Sequence, residues 1–94
     1  MKADSIISND ERCFICGCPF GLHRHHCFHG TSNRKLADQD GCWVNLCYVH
    51  HTGMEGVHNN RPLDVMLMKF AQMVWESKLG DRDDFRRRYG KSYL

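Results

Sequence analysis

No stretch of this chain approaches the ~18 consecutive apolar residues of a membrane span, and the first residues, Met1-Lys2-Ala3-Asp4-Ser5, hold no apolar run that could act as a secretory signal. These two absences predict a protein that stays out of the membrane, in the cytoplasm, where cysteines remain reduced. No internal repeat and no low-complexity tract is visible, which excludes a repeat architecture. Strong net charge is missing too: at +2, the balance by itself points to no class of partner. The distribution is more telling. No acidic residue occurs from Cys13 to Ala37, where Arg24, Arg34 and Lys35 stand alone, and the C-terminal end adds Arg86, Arg87, Arg88 and Lys91. Two basic patches suit a polyanion such as nucleic acid, although such runs are often only solvated surface.

With 94 residues the chain makes one domain, too small to gain much from its core, so a further staple is expected. Six cysteines and seven histidines supply it, all between residues 13 and 58. Residues 1–12 read as a loose polar arm, 13–60 as a loop-rich metal-binding core, and 61–94 as a helical part packed on that core. Within the core, Leu22 to Phe28 and Cys42 to Leu46 partly alternate and predict the two strands of a hairpin, joined by a long polar connection from Gly30 to Gly41. Beyond it, Leu63, Leu67, Phe70 and Val74 form one helical stripe, widened by Met66, Ala71 and Met73. Pro62 suits the first turn of this helix and Gly80 its end. Asp81 then caps a short helix from Arg82 to Tyr89, closed by Gly90, with Phe85 and Tyr89 on its inner face. The fold class expected is α+β.

Cys13-Phe-Ile-Cys16 is one C-x-x-C knuckle, and Cys47-Tyr-Val-His50 is a second that ends in histidine. Together they make a four-coordinate Cys₃His site matched to the tetrahedral preference of zinc. Four protein ligands leave no open position, so this zinc is structural. Cys18 lies close enough to compete with Cys16. Cys27 and Cys42 read as small buried thiols. A redox role for Cys13 and Cys16 is the other reading of the knuckle, but no βαβ pattern surrounds it.

The remaining histidines are His23, His25, His26, His29, His51 and His58. Neighbours on a strand point to opposite faces, so His25 and His26 divide the work: one can bind a metal while the other meets water or substrate. His51 follows the zinc ligand His50, and the knuckle thereby fixes its direction. His23 and His29 are of a kind more often found at the surface or behind a ligand.

The order C-x-x-C, a His-His pair on a strand, then Leu-Cys-x-x-His-His resembles the HNH endonucleases with the ββα-metal fold. Cys13, Cys16, His25, His26, Leu46, Cys47, His50 and His51 carry the match. The stretch from His25 through His58, with Arg34, is similar to small phage-encoded HNH proteins and to the nuclease domain of the RecA-dependent recombination-enhancement nucleases. The resemblance covers about residues 12–60. It implies a zinc-stabilised ββα-metal core and one divalent metal between the hairpin and the following helix. It also implies a DNA phosphodiester as substrate and a bacterial or phage-infected cell as location. By this match His26 is the general base, His25 and His51 are metal ligands, and His58 completes the set. His25 stands where Asp is frequent, which shifts the choice among Mg²⁺, Mn²⁺, Ni²⁺, Co²⁺ and Zn²⁺ away from Mg²⁺. The middle Asn of the pattern falls on Asn45, on Asn33 or on neither. Arg24, Arg34, Lys35 and Arg86 would contact phosphates. The competing expectation is a zinc-stabilised nucleic-acid or protein adaptor with a degraded HNH site.

Overall fold

The computed structural model describes residues 3–94; Met1 and Lys2, part of the expected arm, lie outside the described residues. The chain runs through strand β1 (His23–His26), helix α1 (Thr31–Asp40), strand β2 (Trp43–Leu46), the single-turn helix α2 (Tyr48–His51), the long helix α3 (Arg61–Lys78) and helix α4 (Arg82–Tyr89). This is a small α+β fold. The two antiparallel strands pair His23 with Leu46, Arg24 with Asn45, His25 with Val44 and His26 with Trp43. With α2 they form a ββα-like unit. Among the described residues, no helix is long and apolar enough to cross a membrane.

The expected hairpin is present with shorter strands. Cys27 still donates its N–H to Cys42 O at 3.0 Å, but the ladder then stops and the chain turns into α1. The connection from Gly30 to Gly41, read from the sequence only as long and polar, is a helix over Thr31–Asp40. Its sequence hides it: within α1 only Ala37 is buried, so no apolar stripe marks the period. Gly41 ends α1 in the left-handed conformation, φ +80°, and lies against the backbone of Asp4, where a Cβ would collide with the Asp4 carbonyl.

That contact belongs to a wider correction: residues 3–10, expected as a loose arm, are docked. Ala3 donates to Asp38 O at 2.8 Å, Ile6 to Gly41 O at 2.9 Å, and the buried Ser5 hydroxyl to Trp43 O at 2.5 Å. Trp43 Nε1 returns a bond to Ala3 O at 3.0 Å, and Asn45 Nδ2 donates to Asp10 O at 3.0 Å. The segment thereby docks against α1 and β2, with Ser5 satisfying the Trp43 carbonyl at the outer edge of β2.

Helix α3 starts at an Asn60 cap whose side chain accepts from Leu63 N–H, with Pro62 in the first turn. Its buried face differs from the expected stripe. Leu67, Met68, Ala71 and Trp75 are buried, whereas Met66, Phe70 and Met73 are exposed. Two polar residues share the buried face and displaced the reading. Asp64 meets His29, and Gln72 bonds Glu76, Ser92 and the N–H of Tyr93. Helix α4 keeps its expected bounds: Asp81 and Asp84 form a capping box, and Gly90 closes the end.

Phe85 and Tyr89 face inward as expected, onto Phe28, with ring centroids 5.1 and 4.7 Å away. Asp40 at the end of α1 accepts from Trp75 Nε1, Arg88 and Tyr89 Oη, tying α1 to both C-terminal helices. Phe85 is fully buried at the centre of this aromatic group. Phe85→Ala is expected to lower the unfolding free energy by ~3–5 kcal/mol, read from urea denaturation of the zinc-loaded protein.

Candidate metal centres

Cys13, Cys16, Cys47 and His50 form the first centre, their donor atoms all within 4.8 Å of one another. The local chain explains the grouping. Cys13 donates to Cys18 O at 2.8 Å and Gly17 to Cys13 O at 2.8 Å, so the first knuckle curls around its two thiols. Phe14 N–H hooks this turn onto Asn45 O of β2 at 2.8 Å. Two residues further on, Cys47 caps α2, and His50 lies one turn along.

Cys16 Sγ and Cys47 Sγ are 3.8 Å apart, and His50 Nδ1 is 3.8 Å from Cys13 Sγ and 3.4 Å from Cys47 Sγ. A tetrahedral ion with bonds of about 2.3 Å to sulfur and about 2.05 Å to nitrogen sets edges of about 3.8 and about 3.6 Å. The group thus has the dimensions of a tetrahedral zinc site and could hold zinc as a structural ion.

The thiols also suit a cation. Burial works against ionisation of Cys13, but backbone N–H groups of Cys47, Cys16 and Ile15 outweigh it and bring its pKa down to about 6. At Cys16, which is exposed, the backbone at Cys18 lowers the pKa, yet local desolvation and the neighbouring Cys13 and Cys47 thiols leave it raised. Like charges crowd here until a cation compensates them. Cys18 is outside the group; its thiol points to Phe20 O at 3.7 Å. Cys27 and Cys42 are fully buried thiols, and burial pushes Cys42 up to about 12.

The second centre is His25, His51 and His58. His25 comes from β1, is 2% exposed, and its Nε2 has no hydrogen-bond partner. His51 is set by His50 beside it. His58 is brought back by the loop after α2. Val57 donates to His50 O at 2.9 Å, His58 to His51 O at 3.2 Å, and Asn59 Nδ2 clamps Thr52 O and Gly53 O at 3.1 and 2.9 Å. Gly56 makes the fold-back sterically feasible, because a Cβ there would lie 2.7 Å from the His51 carbonyl.

His51 Nε2 and His58 Nε2 are 3.0 Å apart, and the His25 ring stands edge-on to both, with centroids 5.5 and 5.6 Å away. Two nitrogens bound at right angles, about 2.1 Å from one ion, are also about 3.0 Å apart. A buried histidine with an orphaned nitrogen, grouped with two others, is an arrangement a divalent ion could satisfy. Burial first, then His51, His29, His58 and His26, lower the pKa of His25 to about 3. Burial, then His58 and His23, lower that of His51. Both are held in the neutral form that a metal requires.

A cavity of about 280 Å³ opens onto this centre and is lined also by His26, His29, Arg24 and Arg34. His26 Nε2 lies 2.8 Å from Asp38, and His29 Nε2 lies 2.8 Å from Asp64. Arg24 is engaged already, 3.3 Å from Asp38 and stacked 3.8 Å over the Trp43 ring. Arg34 is exposed at the rim; Lys35 is exposed on the same helix but does not line the cavity. Arg86 pairs with Asp83 on α4 and is not part of the wall. Neither Asn of the expected pattern joins the centre: Asn45 holds Asp10, and Asn33 Nδ2 donates to Tyr89 O at 3.4 Å.

Asp38, Asp64 and Asn59 are the residues that sequence reading missed. Asp38 follows Arg34 at i+4, a signal usable only once residues 31–40 are read as a helix. Asp64 had a subtler signal, an acidic group in register with Leu67, Met68 and Ala71. Compared with known protein families, with curated proteins and with solved structures, the chain matches none.

Two outcomes are expected. Strong chelation should unfold the N-terminal half, since the binding free energy of a structural zinc, roughly 10 kcal/mol or more, is largely folding free energy. Cys47→Ser should do the same, followed by circular dichroism and zinc content; sharp melting of a metal-free sample would contradict this. The second concerns acid. His25 titrates near 3 when folded and near 6.5 when unfolded, so in between the unfolded chain binds the extra proton and stability falls as pH falls. From pH 7.5 to 5, urea denaturation with the His centre metal-free should show a loss of roughly 2 kcal/mol from this group. His25→Asn should lack that increment.

Proposed function

We propose that the protein is a metal-dependent endonuclease of the HNH type that hydrolyses DNA phosphodiester bonds. The observation that carries this reading is the buried His25, its Nε2 without a hydrogen-bond partner, grouped with His51 and His58 beside an open cavity. A purely structural histidine would be expected to find a hydrogen bond. Three protein ligands, unlike the four of the Cys₃His group, leave coordination positions open to a substrate. A divalent ion bound there supplies charge to a scissile phosphate and its leaving oxygen.

The chain's own residues supply the rest. Asp38 accepts from His26 Nε2–H, which directs the ring proton to that nitrogen and leaves Nδ1 as the basic one. His26 then takes a proton from the attacking water, and the Asp38 carboxylate stabilises the imidazolium that results. Arg34 at the rim holds a flanking phosphate. Arg24, tethered to Asp38 and Trp43, serves to place Asp38 more than to bind DNA. His29 with Asp64 is a second histidine–carboxylate pair in the same cavity and the alternative base.

The test is cleavage of supercoiled plasmid with a panel of divalent ions. His26→Ala should keep both metals and DNA affinity and lose about 10²–10⁴ in rate, while Asp38→Asn should lose less. If His26→Ala cuts at the full rate and His29→Ala does not, the base is the His29–Asp64 pair. One zinc per chain, no second metal and no cleavage would replace the nuclease with the adaptor reading.

A further inference from the structure

His23 takes no part in the three-histidine centre, yet it is not idle. It stands on β1 two residues before His25, so the strand presents both to the same face. There it meets His51 edge-on, ring centroids 5.1 Å apart, with Nδ1 of His23 3.0 Å from Nδ1 of His51. The other nitrogen of His51, Nε2, is the one turned to His58 in the metal centre. The two edges of one imidazole are thus both assigned. A neutral imidazole carries one proton, so the partner at one nitrogen decides whether the other has a lone pair for a metal.

We infer that His23 is a positioning residue for the metal: its Nδ1 accepts the Nδ1–H of His51 and holds His51 in the tautomer whose bare Nε2 faces His25 and His58. This rests on the reading of His25, His51 and His58 as a metal centre. The contact fixes more than the tautomer. His51 sits in a single-turn helix with no buried residue; His25 and His58 meet its ring on the Nε2 side, and the Nδ1 side needs a restraint of its own. His23 supplies that restraint from the neighbouring strand, in the place that a carboxylate or carbonyl commonly fills behind a metal-bound histidine.

Two variants separate the roles. His23→Asn keeps an acceptor oxygen close to where the Nδ1 of His23 lies, whereas His23→Ala removes the acceptor altogether. The probe is Co²⁺, added to full-length protein that already holds one zinc and followed by its visible absorption. Long-range proton–nitrogen NMR of the same samples before Co²⁺ is added reads which nitrogen of His51 is protonated. Wild type should show the proton on Nδ1 and bind Co²⁺. His23→Ala should bind Co²⁺ about 10–100-fold more weakly and move the proton away from Nδ1, and His23→Asn should recover much of both. Undiminished Co²⁺ binding by His23→Ala, or a wild-type His51 protonated on Nε2, overturns the proposal alone. A wild type that takes up no Co²⁺ at the histidines overturns the metal reading and the proposal with it.

Discussion

Everything near the candidate site hangs on the junction made by Cys13, Cys16, Cys47 and His50. It brings a turn from the N-terminal part of the chain against the start of α2. Helix α2 is one turn long and none of its residues is buried. Such a helix is not stable by propensity. A tetrahedral ion held by this group would anchor Cys47 and His50 at its N-terminal end, and with them the direction of His51. The loop to His58 is then measured from the same point, by bonds from Val57 to His50 and from His58 to His51. One candidate metal group would thereby set two of the three histidines of the other.

The second constraint is electrostatic. Burial first, and then the neighbouring histidines, drive the pKa of His25 down to about 3, which keeps it uncharged. The carboxylates are placed one step outward, Asp38 behind His26 and Asp64 behind His29, with neither in the three-histidine group itself. The centre therefore offers neutral imidazole nitrogens to a cation, while the histidines with carboxylate partners stand around it in the cavity. That separation of neutral ligands from carboxylate-backed histidines is the physical content of the proposed division between metal binding and proton transfer.

Legibility in the sequence followed how local the cause was. Helix α4 was readable because its capping box, inner aromatics and closing glycine lie within ten residues. The cysteine knuckles were readable because spacing alone restricts which donors can share an ion. Helix α1 was not, since Ala37 is its only buried residue and its anchor, Asp40, acts through Trp75, Arg88 and Tyr89 far along the chain. The face of α3 was misjudged for the same reason: Asp64 and Gln72 are buried because partners elsewhere satisfy them.

By itself, then, the sequence determined the α+β class, the candidate Cys₃His donor set and the C-terminal helices, because periodicity, capping and ligand spacing are properties of neighbouring residues; the histidine set came only from the family resemblance. Only the tertiary structure decided that His25 is buried with its Nε2 unpartnered, that Asp38 and Asp64 stand behind His26 and His29, and that residues 3–10 dock against α1 and β2. Those choices depend on strand register, on a loop folding back over Gly56 and on which nitrogen of each imidazole finds a partner. They are distances between parts of the chain that no local pattern encodes.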